Sequence, residues 1–273
     1  MAEIEETGQH KNQLPPGAHP SFMSVIKTKQ RIKEKLSNVK HKIGIYSAKG
    51  GVGKTTVSVN TAYALSARGF KVGLLDADID CPNISMFLGI DRMMDVSSFP
   101  LKPIEKYGIK AASTAMIVDD TQKPIIWRGP IIVKMLYDFF ENTDWGELDY
   151  LVIDLPPGTS DAPLTIMQVL DLDGFVIVTN PQRIAGVNSI RSGLMARRLN
   201  VALLGVVENM SSGKPSKNTD DVVATLGTKL LGTVKMDTAF SANSDEGRIP
   251  SMESKDILKM FDPILDGLGA KKG

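Results

Sequence analysis

Lys49 and Lys54 bracket a run of glycines, "AKGGVGKTT" over residues 48–56. Gly50, Gly51 and Gly53, with Val52 between them, let backbone N–H groups converge on phosphate oxygens, and a following helix would add its positive N-terminal end. Lys54 is spaced to bridge the β- and γ-phosphates of ATP, Thr55 to give its hydroxyl to Mg²⁺, and Thr56 to reach the α-phosphate side. The stretch departs from the phosphate-loop pattern GxxxxGK(S/T) at Ala48, which stands where the first glycine belongs, and Lys49 is an additional cation. Lys49 precedes the cradle and would point away from its own phosphates. Its easiest phosphate role is therefore in the site of a second subunit, where it would neutralise charge developing on the γ-phosphoryl group as an arginine finger does in trans. ATP would then both join and trigger a homodimer.

Two carboxylate-bearing stretches suit the same chemistry. "LVIDLPPGTSD" carries Asp154 after an apolar run, a Walker B pattern that holds Mg²⁺ directly or through its water shell. "LLDADID" ends in Asp76, Asp78 and Asp80. Asp78 is placed to orient an attacking water, while for Asp76 and Asp80 a structural role, as a solvated strand end or helix cap, weighs at least as much as a chemical one.

The elements that must position these groups follow from hydrophobic periodicity. "KIGIYSA" is a short β-rich run, "TTVSVNTAYALSARG" has helical spacing closed by glycine, and "KVGLLDAD" is a strand ending in carboxylates, which together make a βαβ unit. Apolar runs recur in "LDYLVIDL", "GFVIVTN", "VALLGVV" and "KLLGTV", spaced by helical segments such as 184–199 and 219–226. The expected fold is α/β, a doubly wound, mostly parallel sheet with helices on both faces and ligands at the strands' carboxyl ends. Residues 1–22 read as a disordered tail and 23–273 as one ATPase domain, opening on a weak amphipathic helix over 24–38 with a basic wet side. Residues 91–130 are the least regular long segment. Near the C-terminus, Ile257, Phe261, Ile264, Leu265 and Leu268 form an apolar stripe, interrupted at Pro263, that is expected to dock on the core.

With 42% hydrophobic and 23% charged residues the chain can bury a sizeable core, and a formal net charge of +1 gives no global reason to bind nucleic acid or anionic lipid. The basic stretch at 27–42 lacks interleaved aromatics for stacking on bases. No apolar run spans a membrane and no leader is visible, so the expected compartment is cytoplasmic. The one cysteine, Cys81, excludes an intrachain disulfide, and it reads as a small packing residue. His10, His19 and His41 have no metal-site spacing.

"SAKGGVGKTT" resembles the deviant Walker A loop of the MinD/ParA/Mrp ATPases, whose signature is the first lysine. "DADIDCPNIS", "PIIWRGPII", "WGELDYLVIDLPPGTSDAPLTIMQ", "VTNPQ" and "GVVENMS" resemble the Mrp/ApbC-type subfamily of ATP-dependent iron–sulfur cluster carriers, across roughly residues 40 to 250. The resemblance implies the roles given above for Lys49, Lys54, Thr55, Thr56, Asp78 and Asp154, and adds Asn209 as a reader of the adenine edge. It also implies apo iron–sulfur proteins as partners. Family members continue after "ENMS" into a CxxC that completes a bridging four-cysteine site between two subunits, whereas this chain reads "ENMSSGKPSKNTDD". Ligation at the usual site is lost, and Cys81 supplies only two thiolates to a dimer against the four ligands a cluster takes.

Three functions are compatible with these features. The first is an Mrp-type ATPase acting in iron–sulfur cluster assembly or transfer. The second is an ATP-controlled partner-binding switch without a cluster, and the third a MinD/ParA-like positioning ATPase.

Overall fold

The apolar runs expected as strands lie side by side because near-continuous Val, Ile and Leu must be covered on both faces. The computed structural model describes residues 20–97, 99–117, 129–159 and 161–271. Its elements in chain order are α1 (Pro20–Lys35), β1 (Val39–Tyr46), α2 (Lys54–Ala67), β2 (Val72–Asp76), α3 (Ile84–Phe87), β3 (Ile104–Lys106), β4 (Ile109–Ala112), α4 (Gly129–Asn142), β5 (Leu148–Asp154) and α5 (Asp161–Val169). There follow β6 (Gly174–Thr179), α6 (Arg183–Arg198), β7 (Leu203–Ser211), α7 (Lys217–Leu226), β8 (Leu230–Lys235), α8 (Thr238–Asp245), α9 (Pro250–Glu253), α10 (Lys255–Met260) and α11 (Asp262–Gly267). The helix expected over 24–38 thus starts earlier, at Pro20. The rest of the expected tail, residues 1–19, lies outside the described residues, as do His10, His19, Trp127, Arg128 and Ser160.

The sheet has the order β3-β4-β2-β5-β1-β6-β7-β8 and is parallel except for the β3–β4 pair. From β1 the chain crosses over the place of β5 to reach β2, and later passes from β5 across β1 to β6. That reversal opens the crevice at the carboxyl ends of the central strands where open α/β sheets bind ligands. The register sets Asp154 opposite both Ile45 of β1 and Asp76 of β2, so the loop after β1 and both carboxylates share one sheet edge.

Residues 91–130, unresolved by periodicity, contribute the β3–β4 hairpin. Its two-residue turn places Tyr107 at φ 54° and Gly108 at φ 72°, both left-handed as a type I′ turn requires. Tyrosine seldom takes that conformation; here the Lys106 ammonium lies 5.1 Å from its ring centroid.

α2 is buried nearly all round, with Val57, Val59, Ala62 and Leu65 packed in the core. The C-terminal stripe docks as expected: Ile257, Phe261, Ile264 and Leu265 are buried, Leu268 packs against them, and Pro263 sits in the first turn of α11 where the missing N–H costs nothing. Arg68, at the end of α2, clamps this region through Asp262 at 2.7 Å and Asp266 at 2.8 Å. His41 Nδ1 lies 3.1 Å from Asp173 Oδ2, and the ring stacks on Tyr150.

Candidate functional site

The turn from β1 into α2 depends on glycine. Gly53 is the N-cap of α2 in the left-handed region, at φ 81°, and a Cβ there would sit 2.0 Å from Asn209 Nδ2. Gly51 has the same φ of 81°. Asn209 Nδ2 donates to the Val52 carbonyl at 2.9 Å, so the end of β7 braces the loop from beneath. The side chain assigned by resemblance to the adenine edge is thus 3% exposed and bonded to the loop itself.

Three side chains of the first α2 turns converge on Asp154, which is 1% exposed. Lys54 Nζ is 2.7 Å from Oδ1, Thr55 Oγ1 donates to Oδ2 at 2.7 Å, and Ser58 Oγ lies 2.7 Å from Oδ1. Ser58 Oγ is also 3.0 Å from the Lys54 carbonyl; its single proton serves the charged acceptor better. Ser58 is the residue that sequence reasoning missed. Its position four residues after Lys54, on the same helix face, was the available signal.

The Asp76 and Asp78 carboxylates differ in what surrounds them. Asp76 accepts from the backbone N–H groups of Asp78 (3.2 Å), Asn83 (2.9 Å) and Ile84 (3.0 Å) and from Ser113 Oγ (3.2 Å). These bonds make it the cap of α3 and the anchor of the turn before it. Burial first, then the neighbouring Asp154 charge, raises its proton affinity against the opposing Ile84 bond and Lys54 charge. Asp78 is pushed up to about 6 by burial, against the pull of Lys54 and the Cys81 N–H, which reaches Oδ1 at 3.2 Å. Asp80 is exposed, a solvated end of the segment.

The packing role expected of Cys81 is corrected here: the residue is exposed. Pro82 follows it, and the Cys81 backbone N–H is spent on the Asp78 carboxylate, so the Cys81 side chain leaves the core. Partial burial of the thiol and the charges of Asp78 and Asp80 push its pKa up, which disfavours a thiolate ligand. Among the described residues no group of three or more His, Cys, Asp or Glu side chains is arranged to hold a metal ion.

Lys49 Nζ donates to Gln182 Oε1 at 3.1 Å, at the start of α6. On the other side of the loop, a cleft of about 330 Å³ opens beside Thr56 and Asn209, walled by Met86, Phe87, Met210, Met236 and Phe240. Where relatives are expected to carry CxxC, Ser211 Oγ accepts from Gly213 N at 3.2 Å and donates to the Lys214 carbonyl at 2.9 Å. Glu208 accepts from Ser216 N (2.9 Å) and Oγ (2.6 Å). Burial would raise the Glu208 pKa, yet these hydroxyl and N–H bonds hold it below the ordinary range. The fully buried Tyr46 donates from its hydroxyl to the Gly158 carbonyl at 2.5 Å, tying the end of β1 to the loop after Asp154.

A glycine-rich loop between a central parallel strand and a helix, with a lysine and a threonine on a buried aspartate of the adjoining strand, defines a P-loop nucleoside triphosphatase. The ParA-type family model described as NUBPL iron-transfer P-loop NTPase matches residues 38–268, and the chain belongs to that family. The iron-sulfur cluster carrier protein of Methanocaldococcus jannaschii is 40% identical over 263 residues, covering 89% of this chain and 90% of that protein. The mitochondrial iron-sulfur protein required for NADH dehydrogenase of Arabidopsis thaliana is 38% identical over 226 residues, covering 78% and 72%. A nucleotide-binding protein from Archaeoglobus fulgidus, solved in complex with ADP, superposes with a TM-score of 0.71 at 33% identity, over 83% of this chain and 94% of that one. The cell division ATPase MinD of Pyrococcus furiosus shares the fold, with a TM-score of 0.62 at 24% identity, over 85% and 99%.

Proposed function

We propose that this chain binds ATP with Mg²⁺, hydrolyses it to ADP and phosphate as a homodimer, and acts in iron–sulfur cluster assembly or transfer. The observation that carries the reading is the convergence of Lys54, Thr55 and Ser58 on buried Asp154 beneath the glycine loop. Family membership supplies the biological context.

In the resting chain Asp154 neutralises Lys54. An arriving triphosphate competes for that ammonium, and the glycine-loop N–H groups and the α2 N-terminus add their positive ends. The hydroxyl and carboxylate of Thr55 and Asp154 are hard oxygen donors of the kind Mg²⁺ takes, and these two residues would hold it. Held there with the nucleotide, the ion would supply positive charge against the phosphate oxygens. Asp78, mostly ionised at pH 7 with a pKa of about 6, orients water for attack on the γ-phosphorus as the bond to the ADP oxygen breaks. Lys49 of a second copy stabilises the charge that develops. The cleft beside Thr56, with its soft methionine and phenylalanine walls, suits a purine ring. Asn209 acts by bracing the loop at Val52.

A cluster enters this account as cargo, together with apo iron–sulfur proteins as acceptors. The side chains present do not form a four-thiolate site, because the whole chain has one cysteine. That favours a second reading, an ATP-controlled switch that grips a protein partner, with the 211–216 segment fastened by Glu208 and Ser211 in place of metal ligands. We place the protein in the cytoplasm; no helix among the described residues is long and apolar enough to cross a membrane.

Anaerobic reconstitution with iron and sulfide, with and without ATP and Mg²⁺, separates the readings. Stoichiometric iron with visible charge-transfer absorption supports the carrier. An iron-free chain that still hydrolyses ATP overturns cluster carriage in favour of the switch.

A further inference from the structure

Gln182 occupies the N-cap position of α6, where Ser, Thr, Asn or Asp ordinarily accepts a backbone N–H bond. Its side chain makes no capping bond, and its Oε1 instead takes the Lys49 ammonium at 3.1 Å. The corner that carries it is fixed by other groups. The Asn180 side chain, 5% exposed, accepts from Gln182 N at 3.1 Å, and the Gln182 carbonyl accepts from Ala185 N at 2.9 Å. Asn218 of α7 donates to the Pro181 carbonyl at 2.6 Å. A fixed corner therefore presents a neutral amide to a flexible lysine that forms no ion pair among the described residues.

We propose that Gln182 is a positioning residue that parks Lys49 in the nucleotide-free protomer and gives it up when Lys49 enters the site of a second copy. A neutral acceptor suits this exchange, since an exposed amide–ammonium bond is weak beside the attraction of a triphosphate, whereas a carboxylate would retain the lysine. The proposal rests on the trans role given to Lys49 above.

The test has two arms on the full chain. Without nucleotide, the acylation rate of Lys49 Nζ by an amine-reactive ester is read by mass spectrometry against exposed Lys27. Gln182→Ala should raise it, and Gln182→Glu should lower it in a way that added salt reverses. With ATP and Mg²⁺, the ATP concentration for half-dimerisation is read by light scattering. It should fall about fivefold in Gln182→Ala, the size of one net hydrogen bond, and rise in Gln182→Glu. Unchanged Lys49 acylation in both variants overturns the proposal. So do wild-type dimerisation midpoints in both Gln182 variants when Lys49→Ala has lost ATP-dependent dimerisation. Lys49→Ala dimerising at the wild-type ATP concentration instead refutes the trans reading, and the acylation arm still decides whether Gln182 holds the lysine.

Discussion

Replacing Lys54 by methionine and Asp154 by asparagine, singly and together, probes the centre of the site through stability alone. The two charges are 7% and 1% exposed and lie 2.7 Å apart, so removing one strands the other in a poorly solvated place. Lys54→Met leaves Asp154 with the Thr55 and Ser58 hydroxyls, which puts the cost at the lower end for a broken buried pair, about 3 kcal/mol. Asp154→Asn strands a lysine whose long stem can carry its ammonium toward water, at a cost of about 2 kcal/mol. The double variant strands neither charge and should cost about 3 kcal/mol, a coupling of about 2 kcal/mol. Urea titrations read by fluorescence, with Trp145 buried in the core as a reporter, give all four free energies. Saturating ATP at one hundred times its Kd should add about 2.7 kcal/mol to the wild type and nothing to the variants that lack Lys54. Additive single effects, with coupling under about 0.5 kcal/mol, would refute the mutual neutralisation of Lys54 and Asp154.

The pKa of Asp78, raised from 3.8 to about 6, means the folded chain holds this proton more tightly than the unfolded one. Its contribution to stability is full below the ordinary carboxylate range and is lost as pH rises through about 6. Asp78→Asn should remove that part of the stability profile, whereas hydrolysis, which needs the ionised form, should rise over the same window in the wild type and vanish in the variant. Gly53→Ala meets both a φ of 81° and the Asn209 amide at 2.0 Å, so it should abolish nucleotide binding measured by calorimetry. Adding Asn209→Ala should relieve the clash but leave the left-handed backbone cost of about 1 kcal/mol. Arg68→Ala loses Asp262, Asp266 and the Ala270 carbonyl. Half-exposed pairs are worth little, so the cost should be about 1 kcal/mol, with faster amide exchange concentrated in residues 262–270.

What the sequence disclosed follows its local physics. Continuous apolar runs marked the six strands β1, β2 and β5 to β8, because a parallel sheet covered on both faces leaves no polar alternation to confuse them. The glycine loop and Asp154 were legible because they sit at strand ends with fixed spacing. The β3–β4 hairpin was not, since strands of three and four residues carry little periodicity and the left-handed turn uses Tyr107 where Asn or Asp is the usual signal. The contact of Lys49 with Gln182 and that of Asn209 with Val52 join residues far apart in the chain, which no local pattern encodes. The exposure of Cys81 was hidden for a different reason: it depends on the path of the turn after β2, where the Asp78 carboxylate draws in the Cys81 N–H three residues on.

The most direct test of the central claim is the release of inorganic phosphate from ATP by the purified chain, followed with and without Mg²⁺ alongside Lys54→Ala and Lys49→Ala. The account predicts Mg²⁺-dependent release that rises more steeply than protein concentration and is lost in both variants. No release by the wild type, or release that persists in Lys54→Ala, would contradict an ATPase site built on this loop.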